Sequence, residues 1–299
     1  MNLNQTASSY LIYIKAERQY SPETLVKYTD CLRSWICPVL GEKQVEHLSR
    51  MDTVILRDLM SKRQMSISRQ YSVVMSLKLL LGFARDVLRV RLGIDPSEIP
   101  LPKRPRPQVE TLTNEEIEKV LDAIQTNTFA GLRLRTLVEV LISTGMRISE
   151  ALSLDRKPFE QGARELDILG KGGKRRTVFF SERALTWIRM FLGRRADEHP
   201  ALFITTGAPP RRLSRYDISK YFIDLRRRAG IEKKLTPHIF RHTFCTNLLR
   251  NGVDIAFIKQ LAGHESIDTT ERYYLGVDLP AIREKLAAHF NDGFVRPAA

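Results

Sequence analysis

The chain has 299 residues, 43% of them hydrophobic and 27% charged, the balance of an ordinary globular protein with room for one large or two medium cores. Those fractions exclude wholesale disorder and collagen-like or mucin-like chains. No apolar run approaches the roughly 18 residues that cross a bilayer, and the N-terminus lacks a basic leader followed by an apolar stretch, so a cytoplasmic protein with no membrane partner is expected. Three cysteines, Cys31, Cys37 and Cys245, are too few and too scattered for a disulfide framework or a paired metal site, and each is read as a small buried or half-buried side chain. Charge is the loudest signal: 48 Lys and Arg against 34 Asp and Glu leave a net +14. A surface of that sign draws polyanions, of which nucleic acid is the commonest large one in the cytosol. A generic basic surface that only aids solubility is the competing reading.

Helical spacing of apolar residues predicts a wholly helical N-terminal part, with helices around Tyr10 to Ile14, Leu25 to Ile36 after the start signal Ser21-Pro22-Glu23, Val54 to Met60, and Val73 to Leu88. On the last of these, Lys78, Arg85 and Arg89 fall at i, i+7 and i+11 and share one face, either a solvated face or a phosphate contact. The stretch from Asp95 to Gln108 then holds five of the fourteen prolines without apolar periodicity. Proline fixes its own backbone and restricts its neighbour, so an extended linker is expected there. The positive excess is divided evenly between the parts on either side, so both could face the same polyanion.

The C-terminal part opens on a capping box, Thr113 to Glu116, for a helix running to about Ile124. A second helix is expected over about Arg133 to Ser143, stopping at Gly145, and a short one over Arg147 to Leu154. Glu165 to Leu169 and Arg175 to Phe180 flank Lys171-Gly172-Gly173-Lys174 and read as a β-hairpin. Helical patterns return at about 181 to 192, 215 to 229 and 237 to 250, where Pro237 suits a first turn. Shorter helices are expected at about 254 to 261, 266 to 273 and 280 to 289. The fold class is therefore mostly α with a small antiparallel β-sheet (α+β).

Several familiar chemistries fail on inspection. His238 and His242 stand at i and i+4 as in zinc proteases, but Ile239 occupies the place of the water-activating glutamate. The run Gly170 to Arg175 is glycine-rich and basic, yet it has Ile168 where a Walker loop needs its first glycine and Arg175 where it needs Ser or Thr. No GxSxG occurs. What remains is a set of polar residues at helix edges. Arg147 restarts a helix with Glu150 one turn on, where a carboxylate could hold the guanidinium; Lys171 sits on a tight hairpin; His238 and Arg241 share a helix face; His264 lies in the turn LAGHES; Tyr273 ends a short helix. Each alone has a dull alternative: a surface ion pair, a hairpin lysine, a capped histidine, a core tyrosine. Together, two arginines, a lysine and two histidines are donors suited to a phosphate that gains negative charge in its transition state. No carboxylate cluster accompanies them to bind a metal. Phosphoryl transfer without Mg²⁺ then needs a protein nucleophile, a role open to a tyrosine hydroxyl beside cationic donors.

The segments LISTGMRISEALSL, GKGGKRRTV and LTPHIFRHTFCTNLLRNGVDIAFIKQLAGHESIDTTERYY resemble the tyrosine recombinase (phage integrase) family, most like its Xer-type members. The resemblance covers the whole chain as architecture and is carried by motif from about residue 140 to 280. It implies a helical core-binding, DNA-binding domain of SAM-like bundle type over 1–95, a proline-rich linker over 96–108, and a catalytic tyrosine recombinase domain over 109–299. The family's catalytic positions fall on Arg147, Lys171, His238, Arg241, His264 (in the variant Ala262-Gly263-His264) and Tyr273. Counting from Thr269-Thr270 selects Tyr273 as nucleophile over its neighbour Tyr274. The implied activity is metal- and ATP-independent, needs no cofactor, and cleaves and rejoins DNA at a specific site through a 3′-phosphotyrosyl intermediate and a Holliday junction. It serves either Xer-like recombination, including chromosome dimer resolution, or mobile-element integration and excision. The implied partners are double-stranded DNA carrying a recombination site, gripped by both domains, and further subunits: a homotetramer, or a heterotetramer with a related recombinase. Residues 280 to 290, PAIREKLAAHF, either dock into a neighbour or fold back on their own domain. Two other readings stand beside this one: DNA relaxation like that of a type IB topoisomerase, and a non-catalytic DNA-binding regulator.

Overall fold

The computed structural model describes residues 1–103, 110–170, 173 and 175–263. Lys171, His264, Tyr273 and the helices expected over 266–273 and 280–289 lie outside the described residues. The chain divides into two compact units, Met1–Pro107 and Gln108–Ala299.

The first unit is helical, as its periodicity requires. Helix α1 (Leu3–Ala16) starts at a capping box in which Asn2 and Gln5 each accept from the other's backbone, and it buries Leu3, Ala7, Tyr10 and Ile14 along one stripe. Helix α2 (Pro22–Cys31) is capped by Ser21 and has proline in its first turn, where a missing N–H costs nothing. The helix expected to end near Ile36 instead widens into a π-helical turn, Leu32–Ile36, and continues as α3 (Cys37–Leu40). Pro38 explains the widening: it has no N–H to give the Ser34 carbonyl, and its ring crowds that oxygen in a regular α-turn. Helices α4 (Arg50–Lys62) and α5 (Ile67–Asp86) complete the unit. Leu32, Ile36, Leu56, Met60, Val73, Leu77, Leu80 and Leu81 meet in one core.

Two expectations for this unit need correction. Because α5 ends at Asp86 and Arg89 takes a left-handed backbone (φ 56°), Arg89 does not continue the basic face of Lys78 and Arg85. The other two side chains hold the fold: Lys78 Nζ donates to the Ile99 carbonyl (2.9 Å), and Arg85 bonds Asp86 and Asp95 (2.7 Å each). The same contacts draw in the start of the proline-rich stretch. Pro96–Glu98 forms a 3₁₀ turn and Ile99 is fully buried with the first core, so these residues are folded, not extended.

The second unit is built around α7 (Phe129–Thr144), buried on nearly every side from Leu132 to Thr144. Before it lies α6 (Asn114–Asp122), started by the Thr113–Glu116 box, and after it α8 (Ile148–Ser153) and the single turn α9 (Lys157–Glu160). Strands β1 (Glu165–Leu169) and β2 (Arg175–Phe179) pair antiparallel in the register Glu165 to Phe179 through Leu169 to Arg175. Then follow α10 (Glu182–Gly193), α11 (Arg215–Ala229), α12 (Pro237–Arg250) and α13 (Ile255–Ala262). Helices α10 and α12 pack on α7, and Phe244, Leu248, Val253, Ile258 and Leu261 form a small separate core between α12 and α13. Arg133, 2% exposed, ties the irregular segment before α11 in place by donating to the Ile204 carbonyl (2.5 Å) and the Tyr221 hydroxyl (3.1 Å). The three cysteines are free, Cys31 buried and the others half-buried. No helix among the described residues is long and apolar enough to cross a membrane.

Gly145 is the joint on which the site turns. It ends α7 in the left-handed region (φ 58°), and a Cβ there would lie 2.2 Å from Cδ1 of Phe244 on α12. Any L-residue pays about 1–2 kcal/mol for that backbone and adds a clash with a packed ring. We expect Gly145→Ala to lower stability by about 2 kcal/mol or more, measured as an earlier urea midpoint of the full chain. An unchanged midpoint would show that neither the turn nor the ring is constrained.

Candidate active site

After Gly145 turns the chain, Met146 is wholly buried, and Arg147 begins α8 with extended backbone. Glu150, in the first turn of α8, accepts from the Arg147 N–H (2.7 Å) and from Arg147 Nη1 (3.0 Å). One carboxylate thus satisfies a free helix-start donor and aims the guanidinium of the same residue. Arg147 keeps 23% of its side chain exposed while Glu150 is 6% exposed.

Helix α12 presents the second arginine. Pro237 starts the helix, His238 follows on its exposed side, and Arg241, one turn on, is 5% exposed. Arg241 Nη1 donates to the Gly145 carbonyl (2.9 Å) and Nη2 to the Ala262 carbonyl. Arg147 Nη2 donates to the neighbouring Gly263 carbonyl (2.5 Å). Both guanidiniums therefore hang on the C-terminal end of α13, where helix carbonyls lack partners and carry partial negative charge. Each guanidinium carries five N–H donors, more than these bonds use.

A third arginine joins them. Arg176 on β2 donates through Nη1 and Nη2 to the two oxygens of Glu150 (3.0 and 2.6 Å) and through Nε to the Leu261 carbonyl (2.8 Å). Sequence reading missed it. The signal was there in the strand's period of two: Arg176 pairs in register with the buried Ile168 and shares the face of buried Val178, so an arginine there needs a buried acceptor.

The electrostatics follow from three guanidiniums near a single carboxylate, Glu150, which two of them bond. Burial alone would raise the Glu150 carboxyl, but bonds from Arg176 and Arg147 outweigh it and hold the group ionised, below its ordinary value. Burial, joined by repulsion from Arg147 and Arg176, brings Arg241 down to about 10, so it stays cationic at neutral pH. His238 is depressed by partial burial and then by Arg241, Arg215 and Arg147, which favours the neutral imidazole. The cluster is short of negative charge and can accept an anion. Of the six residues named from sequence, the structure brings Arg147, His238 and Arg241 together; Lys171, His264 and Tyr273 are outside the described residues, although Gly263, which immediately precedes His264 in the chain, is bonded to Arg147. Among the described residues no group of three or more His, Cys, Asp or Glu is placed to hold a metal ion.

Comparison with known proteins places the chain in a family. Residues 110–278 match the Phage integrase family. Tyrosine recombinase XerD of Chlorobaculum tepidum is 31% identical over 298 residues, covering 94% of each chain, and tyrosine recombinase XerC of Escherichia coli O157:H7 is 28% identical over 277 residues, covering 91% of this chain and 92% of its own. The fold is also that of the Tn1549 transposon integrase solved with circular intermediate DNA (TM-score 0.74, 20% identity, 96% of this chain and 99% of that one). It is shared too by a lambda integrase dimer bound to a COC′ core site (0.71, 17%, 93% and 100%). The chain belongs to the phage integrase family of tyrosine recombinases and is Xer-like: an enzyme of site-specific DNA strand exchange.

A phosphate entering among Arg147, Arg241 and Arg215 would cancel the repulsion that depresses His238. We expect the His238 ring, followed by NMR and assigned with His238→Gln, to titrate below the ordinary histidine value in the free protein and to shift upward on DNA. A titration that DNA leaves in place would put His238 away from the bound phosphate.

Proposed function

We propose that Tyr273 attacks the scissile phosphate of a specific DNA site, forming a 3′-phosphotyrosyl bond as the bond to the 5′-oxygen breaks. Arg147, Arg241 and His264 neutralise the charge gained by the phosphate, Lys171 protonates the leaving 5′-oxygen, and His238 assists as base and phosphate ligand. The energy of the broken ester is kept in the new one, so neither ATP nor a cofactor is needed. A 5′-hydroxyl from a second duplex then attacks the phosphotyrosine, frees Tyr273 and joins the exchanged strand, and a second round resolves the Holliday junction.

One observation carries the reading: two arginines aimed into one place by backbone carbonyls, with Glu150 the carboxylate that the cluster shares. Arg241 is held by carbonyls alone and Arg147 shares its one carboxylate with Arg176, so both retain donors and positive charge. The relatives and DNA complexes support further assignments: the first unit, with Pro96–Ile99 folded onto it, as the core-binding domain, 109–299 as the catalytic domain, and assembly of several subunits on DNA. Positive charge divided between the halves supports DNA contact by both, with affinity falling steeply as salt rises.

A duplex nicked beside the cleavage site tests the chemistry, because loss of the short fragment traps the covalent complex. Tyr273→Phe is expected to abolish the adduct while leaving DNA affinity nearly intact; an adduct that persists would move the nucleophile to Tyr274. Joining of the trapped strand to a different duplex separates exchange from resealing of the same strand.

Lys171→Ala is expected to slow cleavage far more than binding. A bridging 5′-sulfur leaves without protonation, so such a substrate should restore the rate; equal slowing with sulfur and oxygen would remove Lys171 from the acid role.

A further inference from the structure

Arg176 shares Glu150 with Arg147 and the end of α13 with both Arg147 and Arg241, and its bonds tie three separate parts of the unit together. Its side chain is 7% exposed. Its fork meets both oxygens of Glu150 in the first turn of α8, its Nε holds the Leu261 carbonyl at the end of α13, and its own backbone belongs to β2. Contact with α13 is close: a Cβ on Gly263, itself left-handed at φ 65°, would lie 2.9 Å from Arg176 Nη1. The parts so tied carry Arg147 through Glu150 and lead, one residue beyond Gly263, to His264.

We propose that Arg176 is a positioning residue for strand cleavage: by sharing Glu150 with Arg147 it keeps the Arg147 guanidinium aimed at the end of α13 and its charge available to the scissile phosphate. The proposal rests on the role assigned to Arg147 above. Glu150 is buried and ionised, so it must be met by cations. With Arg176 present each carboxylate oxygen accepts from its fork, so Arg147 adds only its backbone N–H to one oxygen and a single guanidinium N–H to the other, a further guanidinium N–H going to the Gly263 carbonyl. Without Arg176 both oxygens turn to Arg147, which then closes a private ion pair, swings from the Gly263 carbonyl and loses charge to a partner that the phosphate must displace. Lysine cannot stand in, because one ammonium cannot span two carboxylate oxygens and the Leu261 carbonyl in a fixed plane.

The test is single-turnover release of the 5′ fragment from the nicked duplex, with the full chain and two substrates: one with an ordinary scissile phosphate, one with a methylphosphonate there. The phosphonate is neutral and gains less from arginine charge. Arg176→Lys is expected to slow cleavage of the ordinary substrate by about 10²-fold, the size of effect that misplacement of a catalytic group by an ångström produces, with DNA affinity within about threefold of the parent. On the methylphosphonate the gap between variant and parent should shrink to about tenfold or less. The same slowing on both substrates, or none on either, would overturn the proposal and leave Arg176 as a purely structural residue. Should Arg176→Lys lose its cooperative melting transition, Arg176→Gln, which keeps one neutral donor to Glu150, takes its place with the same expectation. A parent protein that forms no adduct on the ordinary substrate would defeat the proposed function itself, which distinguishes that failure from failure of the role of Arg176.

Discussion

The second unit is organised by a concentration of positive charge that the protein itself leaves incompletely neutralised. Arg147, Arg176 and Arg241 crowd around one carboxylate, Glu150, in a region where Arg176, Arg241 and Glu150 are nearly inaccessible to water. Burying like charges together is costly, and the depressed Arg241 and His238 register that cost. Packing elsewhere must sustain it. The broad apolar core around α7, flanked by α10 and α12, supplies that support, and the smaller core holds Phe244 against Gly145, where the segments carrying Arg147 and Arg241 meet.

How the charge is held matters as much as how much there is. Three successive carbonyls at the end of α13, those of Leu261, Ala262 and Gly263, accept from Arg176, Arg241 and Arg147 in turn. A carbonyl orients a guanidinium without cancelling its charge, and at a helix C-terminus it adds the favourable end of the helix dipole. Carboxylates in those places would fix the arginines equally well and leave nothing for a phosphate. Neutral acceptors reconcile a rigid site with an unspent charge, the condition for electrostatic stabilisation of a transition state.

Two basic residues of the first unit are used differently. Lys78 and Arg85 are bonded within the unit, to the Ile99 carbonyl and to Asp86 and Asp95, and they fold the start of the proline-rich stretch onto the helical core. Net charge is therefore a guide to the class of partner and a poor guide to which side chains meet it.

Much of this was legible in order along the chain. Capping residues such as Asn2, Ser21 and Thr113, the stripe Leu3, Ala7, Tyr10 and Ile14, and the Gly-Gly hairpin signal act within a few residues of one another, so local pattern marked the helices and the β-hairpin. The motifs around Arg147, Lys171, His238, Arg241, His264 and Tyr273 named the chemistry, because a family signature is written in residue types and spacing. What the sequence could not disclose depends on atoms brought together from far apart. Arg176 became part of the site only when β2, the start of α8 and the end of α13 met around Glu150; Pro38 widened a helix in place of ending it; Arg89 fell past the end of α5. Sequence thus determined which groups are available and where chains turn, since those follow from short-range sterics and hydrogen bonding. Tertiary structure alone decided which charges face one another, because Coulombic and desolvation energies depend on distance and burial, and neither is a property of position along the chain.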